Sequence, residues 1–453
     1  MKVLLIQPAK AQRTIGGEDV FIFEPLALEY LAAGINDKHD VKILDMRFDK
    51  NLDEVLEDFK PNVVGITSYT VNVNTVKGLF ERIKKDHPAI FTVVGGHHAT
   101  VAAEDFVTPF IDLIVMGEGV LVFKEIISRL EKRKGFERIP GIAYKEGSGL
   151  VKIPSDPITD LDIFPHPARE LTQKYRQHYF TEWMKPLASI RTSKGCPFRC
   201  NFCALWKLTD GKYIRRKPEN IVKELAEIKE DFVFFADDES LVDAERMKTL
   251  ARLLKEAGIK KRYFLYGRSD TIIKHPELIK IWKEIGLERV FVGLEFFKDE
   301  DLQYINKGST VENNKEAVKI LQANGIEIYA SFIVRPEFTK EDFKAFKNYC
   351  RGLALSFPTF SVLTPLPGTD FYDEVKGKLI TRNYDLFDFI HTLLPTKLPL
   401  DEFYNNLNFL YMNAKSPIKA LSFMMKYPLK EIPKLIPLTI KLSKQIKNAY
   451  KDY

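Results

Sequence analysis

Cysteine is scarce in this chain, with four residues in 453. Small disulfide-stabilised domains are far denser in cysteine, so a disulfide framework is excluded. The chain also lacks any apolar run that approaches the roughly 18–20 residues of a membrane-spanning helix. The apolar part of the stretch Met1–Pro8 is too short for a signal peptide and predicts a buried strand. We therefore expect a cytoplasmic protein.

Three of the four cysteines stand close together, as Cys196-x3-Cys200-x2-Cys203. Cysteine thiolates are the usual ligands of iron–sulfur clusters, and a cubane [4Fe–4S] cluster has four irons to ligate. Three close ligands without an obvious fourth would leave one iron open to another molecule. A structural zinc site needs a closed set of four ligands. The fourth cysteine, Cys350, lies far downstream, and we expect it to be a buried residue near the end of a helix. The spacing therefore predicts that Cys196, Cys200 and Cys203 hold a [4Fe–4S] cluster.

Residues 1–135 alternate short apolar strands with helices, which predicts a doubly wound parallel sheet covered on both faces. Such sheets bind ligands at the carboxyl ends of their strands. Small and polar residues collect there: Thr67 and Ser68 after the third strand, Gly95, Gly96 and His97 after the fourth, and Gly117, Glu118 and Gly119 after the fifth. Tight turns alone would also explain the glycines of any single loop. Three such loops at one edge favour a site for a large flat ligand.

A second alternation of strands and helices occupies residues 190–375, and the proline-rich residues 136–189 are predicted to link the two domains. Repeated βα units predict a partial or full barrel, whose site lies at the carboxyl ends of its strands. Charged residues follow three of these strands: Asp237–Glu239, Arg268 and Glu295. Each of them could instead be a solvated or salt-bridged strand end.

Residues 376–453 are predicted to form a helical, basic C-terminal region. From Lys415 onward there are nine lysines and two acidic residues, so this tail carries +7 and the rest of the chain about −1 of the net charge of +6. Pro428, Pro433 and Pro437 are expected to break the tail into short pieces. Basic amphipathic pieces suit anionic lipid headgroups, and a helical cap with a solvated lysine face is an equally weighted alternative. Nucleic acid is not expected as a partner, because arginine clusters and a reading motif are lacking.

The cysteine spacing, with the aromatic Phe202 directly before the third cysteine, resembles the signature of the radical S-adenosylmethionine (SAM) enzymes. The resemblance implies that the open iron chelates SAM, and that one electron from a donor such as flavodoxin or ferredoxin cleaves it to a 5′-deoxyadenosyl radical. It also implies the SAM contacts of this chain, which would be Phe202, Asp238, Glu239, Arg268 and Glu295.

The first domain, placed before such a core, resembles the cobalamin-binding domains of this superfamily. The glycine-rich loops named above would then hold cobalamin. The wider cobalamin pattern Asp-x-His-x-x-Gly is missing, because the loop after the first strand reads Gln7–Gln12 and no histidine precedes His39. The resemblance therefore implies cobalamin bound without a lower histidine from the protein.

Nearly the whole chain resembles the hopanoid C-3 methylase group of these enzymes. Four stretches carry the resemblance: 24–29, 217–225, 364–369, and 379–389 together with 394–400. It implies methylation of an unactivated carbon in an apolar, lipid-like or isoprenoid-like substrate. The alternatives are ring formation or carbon–carbon bond formation on a lipid without methyl transfer, and a non-enzymatic cobalamin or iron–sulfur sensor or carrier. No residue is assigned as a catalytic acid or base.

Overall fold

The computed structural model describes residues 1–147, 149–429 and 431–453. They form two units, one made of residues 1–14 and 24–178, the other of residues 15–23 and 179–453. Within these described ranges, no helix is both long and apolar enough to cross a bilayer.

The first unit is built on one sheet. Its strands are β1 (Lys2–Gln7), β2 (Asp40–Asp45), β3 (Val63–Thr67), β4 (Phe91–Gly95), β5 (Leu113–Val115), β6 (Ile142–Glu146) and β7 (Gly149–Ile153). Their order across the sheet is β2-β1-β3-β4-β5-β6-β7. The strands β1 to β5 are parallel, whereas β6 and β7 add an antiparallel edge. The order 2-1-3-4-5 is that of a flavodoxin-like sheet, and it confirms the doubly wound parallel sheet that the sequence predicts.

Helices cover this sheet because its strands are apolar on both faces; Val3 to Ile6 of β1 are fully buried. The helices are α1 (Leu26–Ala33), α2 (Leu52–Phe59), α3 (Val73–Asp86), α4 (His97–Val101) and α5 (Gly119–Glu131). A 3₁₀ helix at Arg169–His178 follows the sheet. The sheet and this helix belong to the first unit, so most of the region expected as a linker is part of that unit.

The second unit is built on an all-parallel sheet. Its strands are β8 (Leu187–Ile190), β9 (Phe232–Phe235), β10 (Arg262–Gly267), β11 (Leu287–Glu295), β12 (Glu327–Val334) and β13 (Pro358–Val362). They lie in chain order, and β8 and β13 are the two edges of the sheet. This arrangement confirms the partial βα barrel.

Helices alternate with these strands along the chain, and most of them pack on one face of the sheet. They are α6 (Leu205–Leu208), α7 (Pro218–Glu227), α8 (Ala244–Glu256), α9 (Ser269–Lys274), α10 (Pro276–Glu284), α11 (Asp299–Tyr304), α12 (Val311–Ala323), α13 (Lys340–Gly352) and α14 (Asp370–Val375). The largest core cluster lies between these helices and alternate strand residues such as Val233, Leu265 and Val290. Cys350 is fully buried in the same cluster, near the end of α13.

The C-terminal region is helical, as expected, and comprises α15 (Leu400–Asn413), α16 (Pro417–Met424) and α17 (Ile432–Asn448). Pro428 separates α16 from α17, and Pro433 lies in the first turn of α17, where a missing N–H costs little. The expectation that Pro437 also breaks the chain is wrong, because α17 continues through it. The end of this helix is anchored in the core by Ile446 and Ala449, which offsets the one helical hydrogen bond that the proline removes.

Candidate active site

The three clustered cysteines lie on a loop that follows β8. The loop is closed at its base by a short antiparallel ladder between Ser193–Lys194 and Ile214–Arg215. Gly195 has φ +88°, and a Cβ there would lie 2.0 Å from the carbonyl oxygen of Lys212, so only glycine fits. The loop thus turns sharply just before its first cysteine.

All three loop cysteines are free thiols; Cys200 is buried, and Cys196 and Cys203 are half-buried. Burial raises the pKa of Cys196 to about 11 and that of Cys203 to about 12, and the neighbouring cysteines add to the rise. Thiols whose charges affect one another in this way share one local site, and they need a strongly cationic partner to become thiolates. In the described part of the chain, no three His, Cys, Asp or Glu side chains form a site for a single metal ion. Three soft sulfur donors on one loop fit an iron–sulfur cluster, whose ligands stand farther apart than those of one ion.

The acidic residues after β9 hold the neighbouring backbone in place. Asp237 is buried and accepts hydrogen bonds from the N–H groups of Thr192 and Ser193, at 2.7 and 2.8 Å. Asp238 accepts one from the Gly195 N–H at 2.6 Å. Burial raises the pKa of both carboxyl groups, and these hydrogen bonds oppose the rise. Both aspartates therefore fix the start of the cysteine loop.

Glu239, also predicted as a SAM contact, is buried as well. It accepts hydrogen bonds from the N–H groups of Leu241, at 2.9 Å, and Arg268, at 3.2 Å. Burial raises the pKa of Glu239 to about 7, against the lowering effect of these bonds. Its carboxyl group thereby ties the end of β9 to the end of β10.

Arg268, at the end of β10, is 6% exposed and lies against the cysteine loop. Its guanidinium forms a bidentate pair with Asp270 at 2.9 and 3.0 Å, stacks 3.6 Å from the centre of the Phe198 ring, and donates to the Cys200 Sγ at 3.7 Å. It also donates to the carbonyl oxygen of Lys307. These contacts brace the cysteine loop, and the role of Arg268 as a partner of the SAM carboxylate stays a prediction.

Glu295 ends β11 in a left-handed backbone conformation, with φ +59°. Its carboxylate pairs with the buried Lys307 ammonium at 2.7 Å. A Cβ on Gly293 would lie 2.3 Å from the Glu295 carboxylate, so the glycine makes room for the pair. Strained polar residues persist mainly at functional sites. Lys307 is a site residue that the sequence did not reveal, since it follows a helix and no strand.

Two further elements brace the cysteine loop. Phe202 packs against the main core. Asn201 donates to the carbonyl oxygen of Tyr304 at 2.8 Å, and Asn306 donates to that of Arg199 at 2.7 Å. The segment after α11 and the cysteine loop therefore hold each other in place.

Aromatic rings cover the face of the barrel sheet opposite its packed helices. Tyr266 of β10, Phe291 of β11 and Tyr329 of β12 are neighbours in register and are half-buried. Their ring centroids lie 4.8 Å apart for Tyr266 and Phe291, and 5.3 Å apart for Phe291 and Tyr329. We call these three residues the aromatic tier. The tier offers an apolar, ring-lined wall on this face, four residues before the end of β11 at Phe291.

In the first unit, the adjacent strands β3, β4 and β5 bring the three predicted loops to one edge. Gly96 has φ +102°, and a Cβ there would lie 2.6 Å from the Thr67 Oγ1 and 2.8 Å from the Ser68 nitrogen. The Ser68 N–H donates to the carbonyl oxygen of Gly95 at 2.9 Å. The loops after β3 and β4 therefore pack backbone against backbone, and a side chain at position 96 would force them apart.

The loop after β5 has a different geometry. Gly117 has φ +76°, and its N–H donates to the Thr100 Oγ1 at 2.9 Å. Glu118 is the N-cap of α5. Gly119 leaves room for the Leu31 side chain, because a Cβ added to Gly119 would lie 3.2 Å from it. Gly119 thus serves helix packing, whereas Gly117 shapes the edge.

Two histidines follow β4 and differ in their surroundings. His98 is fully buried between the Thr70 Oγ1, at 3.1 Å, and Asp105, at 2.9 Å. His97 is half-buried, its ring centroid is 6.3 Å from that of the exposed Tyr69, and burial together with His98 lowers its pKa. A neutral imidazole and a phenol ring therefore stand at the same edge as the glycines. Such a surface fits a large, flat ligand such as cobalamin.

Comparison with known proteins agrees with both halves of this description. The radical SAM superfamily model matches residues 190–350, and the B12-binding domain model matches residues 13–127. The hopanoid C-3 methylase of Methylococcus capsulatus is 33% identical over 416 residues, which cover 90% of this chain and 79% of the relative.

Solved structures share the fold. The radical SAM methyltransferase TsrM from Kitasatospora setae, solved with cobalamin and a [4Fe–4S] cluster, has a TM-score of 0.68 at 20% identity and covers 83% of this chain and 74% of its own. The cobalamin-dependent radical SAM enzyme OxsB has a TM-score of 0.74 at 16% identity, and the match covers 99% of this chain and 71% of the OxsB chain.

The fold and the cysteine loop define a radical SAM enzyme with a B12-binding domain. The chain belongs to the cobalamin-dependent radical SAM methyltransferases, the group in which the M. capsulatus relative lies. This confirms the resemblance, and with it the three cofactors that the sequence predicts: a [4Fe–4S] cluster, SAM and cobalamin. The individual SAM and cobalamin contacts stay predictions.

Proposed function

We propose that the enzyme methylates an unactivated carbon of an apolar, lipid-like substrate. The observation that carries this proposal is the aromatic tier of Tyr266, Phe291 and Tyr329 on the inner face of the barrel. Burying apolar surface against such rings is favourable at roughly 25 cal/mol per Å², whereas a charged substrate would lose its hydration there. The name of the M. capsulatus relative, a hopanoid C-3 methylase, supports the same substrate class.

When bound, the reduced cluster and SAM supply a radical that removes hydrogen from carbon, and cobalamin supplies the methyl group. The chain's own part is placement. Cys196, Cys200 and Cys203 would hold the cluster, while Asp238 and Arg268 fix their loop. The aromatic tier would hold the target and exclude water, which protects a reactive intermediate.

We assign Glu295 and Lys307 to the cofactor side of this site. Their ion pair is buried, and it stands at the strand end next to the Arg268 contact with Lys307. The pair can bind the charged methionyl part of SAM by exchanging one internal partner for one ligand group. The cluster also needs one electron per turnover, and a flavodoxin or ferredoxin is the donor we propose.

The test compares two pools of candidate substrates under anaerobic conditions. Reconstituted enzyme is incubated in parallel with a total lipid extract and with the aqueous extract of the same cells. We expect a product heavier by one methylene in the lipid arm alone. A methylated product in the aqueous arm alone would overturn the apolar substrate.

We also propose that α16 and α17 rest on an anionic membrane surface. On one face of α16 and just beyond it, Ile418, Leu421, Met425 and Leu429 are 82, 62, 76 and 86% exposed. The opposite face is anchored, because Phe423 stacks on Phe357 with ring centroids 5.5 Å apart. Lysines stand among these apolar side chains, and anionic headgroups attract each of them by about 1 kcal/mol near the surface.

Flotation with vesicles tests this contact. We expect the enzyme to bind vesicles that contain phosphatidylglycerol and to leave vesicles of pure phosphatidylcholine unbound. Ile418→Ser with Met425→Ser should abolish binding, whereas Lys315→Ser on α12 serves as the matched surface control. Equal binding by all three chains would contradict the proposal.

A further inference from the structure

A buried ion pair lies beneath the aromatic tier. Arg289 of β11 is two residues before Phe291, on the same face of the sheet, and is fully buried. In register with it are Phe264 of β10 and Glu327 of β12. Its Nη1 donates to the carboxylate of Glu182, whose side chain is 4% exposed. The pair therefore forms a polar floor under an apolar wall.

This floor has unused hydrogen-bonding capacity. Within the described residues, Nε and Nη2 of Arg289, Oε1 of Glu182 and the indole Nε1 of Trp183 have no hydrogen-bond partner. The rings of Tyr329, Phe264 and Phe423 lie 4.8, 5.4 and 5.7 Å from the guanidinium. Stacked rings stabilise its charge but accept no bond from its N–H edges. A buried donor without an acceptor is destabilising, so native proteins seldom keep one unless a ligand or water satisfies it.

The donor and acceptor atoms that lack partners indicate which chemical group binds here. Arg289 offers donors and Glu182 offers an acceptor, so a group that accepts one hydrogen bond and donates another satisfies both. A hydroxyl does so without adding charge. A carboxylate would place a second anion beside Glu182, and an ammonium would place a second cation beside Arg289, both in a poorly solvated setting.

We propose that Arg289 and Glu182 bind a hydroxyl group at one end of the substrate, with the apolar body lying along the aromatic tier. This subsite rests on the proposed function, because it presumes an apolar substrate in the barrel. Arg289 lies six residues before Glu295, the last residue of β11, which at about 3.3 Å each puts the hydroxyl roughly 20 Å below the strand end. The enzyme then recognises a hydroxyl group at one end of an amphiphilic substrate and methylates a carbon at the other end.

Binding of simple probes tests the subsite. The probes are 1-decanol and decane, measured by headspace partition onto anaerobic, reconstituted enzyme, and decanoate, measured by dialysis. The variant is E182L with R289M, since apolar replacement of a complete buried ion pair is often neutral for folding. R252M with E256L, which removes the exposed pair on α8, is the matched control. Iron content and circular dichroism confirm that each chain is folded.

We expect E182L/R289M to bind 1-decanol at least tenfold more weakly than the parent and to bind decane within twofold of it. Decanoate should bind the parent more weakly than 1-decanol does. Equal changes for 1-decanol and decane would overturn the subsite and would mean that trapped water satisfies the pair. Methylation of lipid extract is followed in parallel, so methylation that persists without any hydroxyl preference would overturn the subsite and leave the proposed function standing.

Discussion

The carboxylate of Asp238 accepts a hydrogen bond from the backbone N–H of Gly195 at 2.6 Å, one residue before Cys196. Its partner atom belongs to the turn that starts the cysteine loop, where Gly195 has φ +88°. A charge-assisted bond of this kind is about twice as strong as a neutral one. Asp238 therefore connects the end of β9 to the cysteine loop and sets where the loop begins.

Replacing Asp238 by alanine should lower the iron retained per chain severalfold, because the turn before Cys196 loses its acceptor. Asp238→Asn should retain more iron than Asp238→Ala, since the amide oxygen still accepts the bond. Iron and sulfide analysis after anaerobic reconstitution measures the effect. Cys203→Ala gives the level expected for a lost ligand, and Cys350→Ala in the core gives the level for a cysteine outside the loop. Full iron content in Asp238→Ala would refute this role.

Gly96→Ala should reduce cobalamin bound per chain at least tenfold. The added Cβ would lie 2.6 Å from the Thr67 Oγ1 and 2.8 Å from the Ser68 nitrogen, so the two loops must separate. Gly78→Ala is the matched control, because its Cβ meets no atom within 4 Å and alanine favours the helix α3. Absorbance of bound hydroxocobalamin after gel filtration gives the ratio. Equal loading of the two variants would contradict a cobalamin site at this edge.

Bound cobalamin should lack an axial histidine ligand from the protein. That loop, Gln7–Gln12, contains no histidine. The electron paramagnetic resonance spectrum of bound cob(II)alamin should therefore show no nitrogen splitting from the protein. Nitrogen splitting that disappears in His97→Ala would identify His97 as an axial ligand and would refute this prediction.

Stability should fall at alkaline pH through His391. Burial lowers the pKa of His391, but hydrogen bonds to Asp388 and Asp452 outweigh it and raise the pKa above 6.5. A raised pKa in the folded state means that the stabilisation is complete below pH 6.5 and is lost as the pH rises through the folded pKa. Urea unfolding between pH 6 and 9 should show a steeper loss for the parent than for His391→Gln. Glu29, whose pKa burial raises to about 8, contributes equally to both chains; parallel curves would argue against the role of His391.

Much of this molecule is predictable from local sequence. The strand from Phe232 to Phe235 is a short apolar run, and the three loop cysteines stand within eight residues, so neither needs tertiary information. The two antiparallel strands after β5 were missed because Ile142–Glu146 becomes polar at its exposed end. The prediction that Pro437 breaks the chain is wrong because a proline inside a helix is tolerated when the flanking turns are anchored.

The site is less predictable because its partners come from distant parts of the chain. The sequence does not predict that Arg268 also contacts Asp270, Cys200 and the Lys307 carbonyl oxygen, because two of these partners lie far away in the chain. Lys307 and Arg289 carry no sequence signal, since their buried partners, Glu295 and Glu182, are known only once strands and loops are assembled.

The most direct test of the account uses SAM with a deuterated methyl group. Anaerobic enzyme, reconstituted with iron, sulfide and hydroxocobalamin, is supplied with a one-electron reductant, labelled SAM and lipid extract. The account predicts an apolar product that carries the labelled methyl group, formed together with 5′-deoxyadenosine and S-adenosylhomocysteine and absent when cobalamin is omitted. Modified lipid without label, or labelled lipid formed equally without cobalamin, would contradict it.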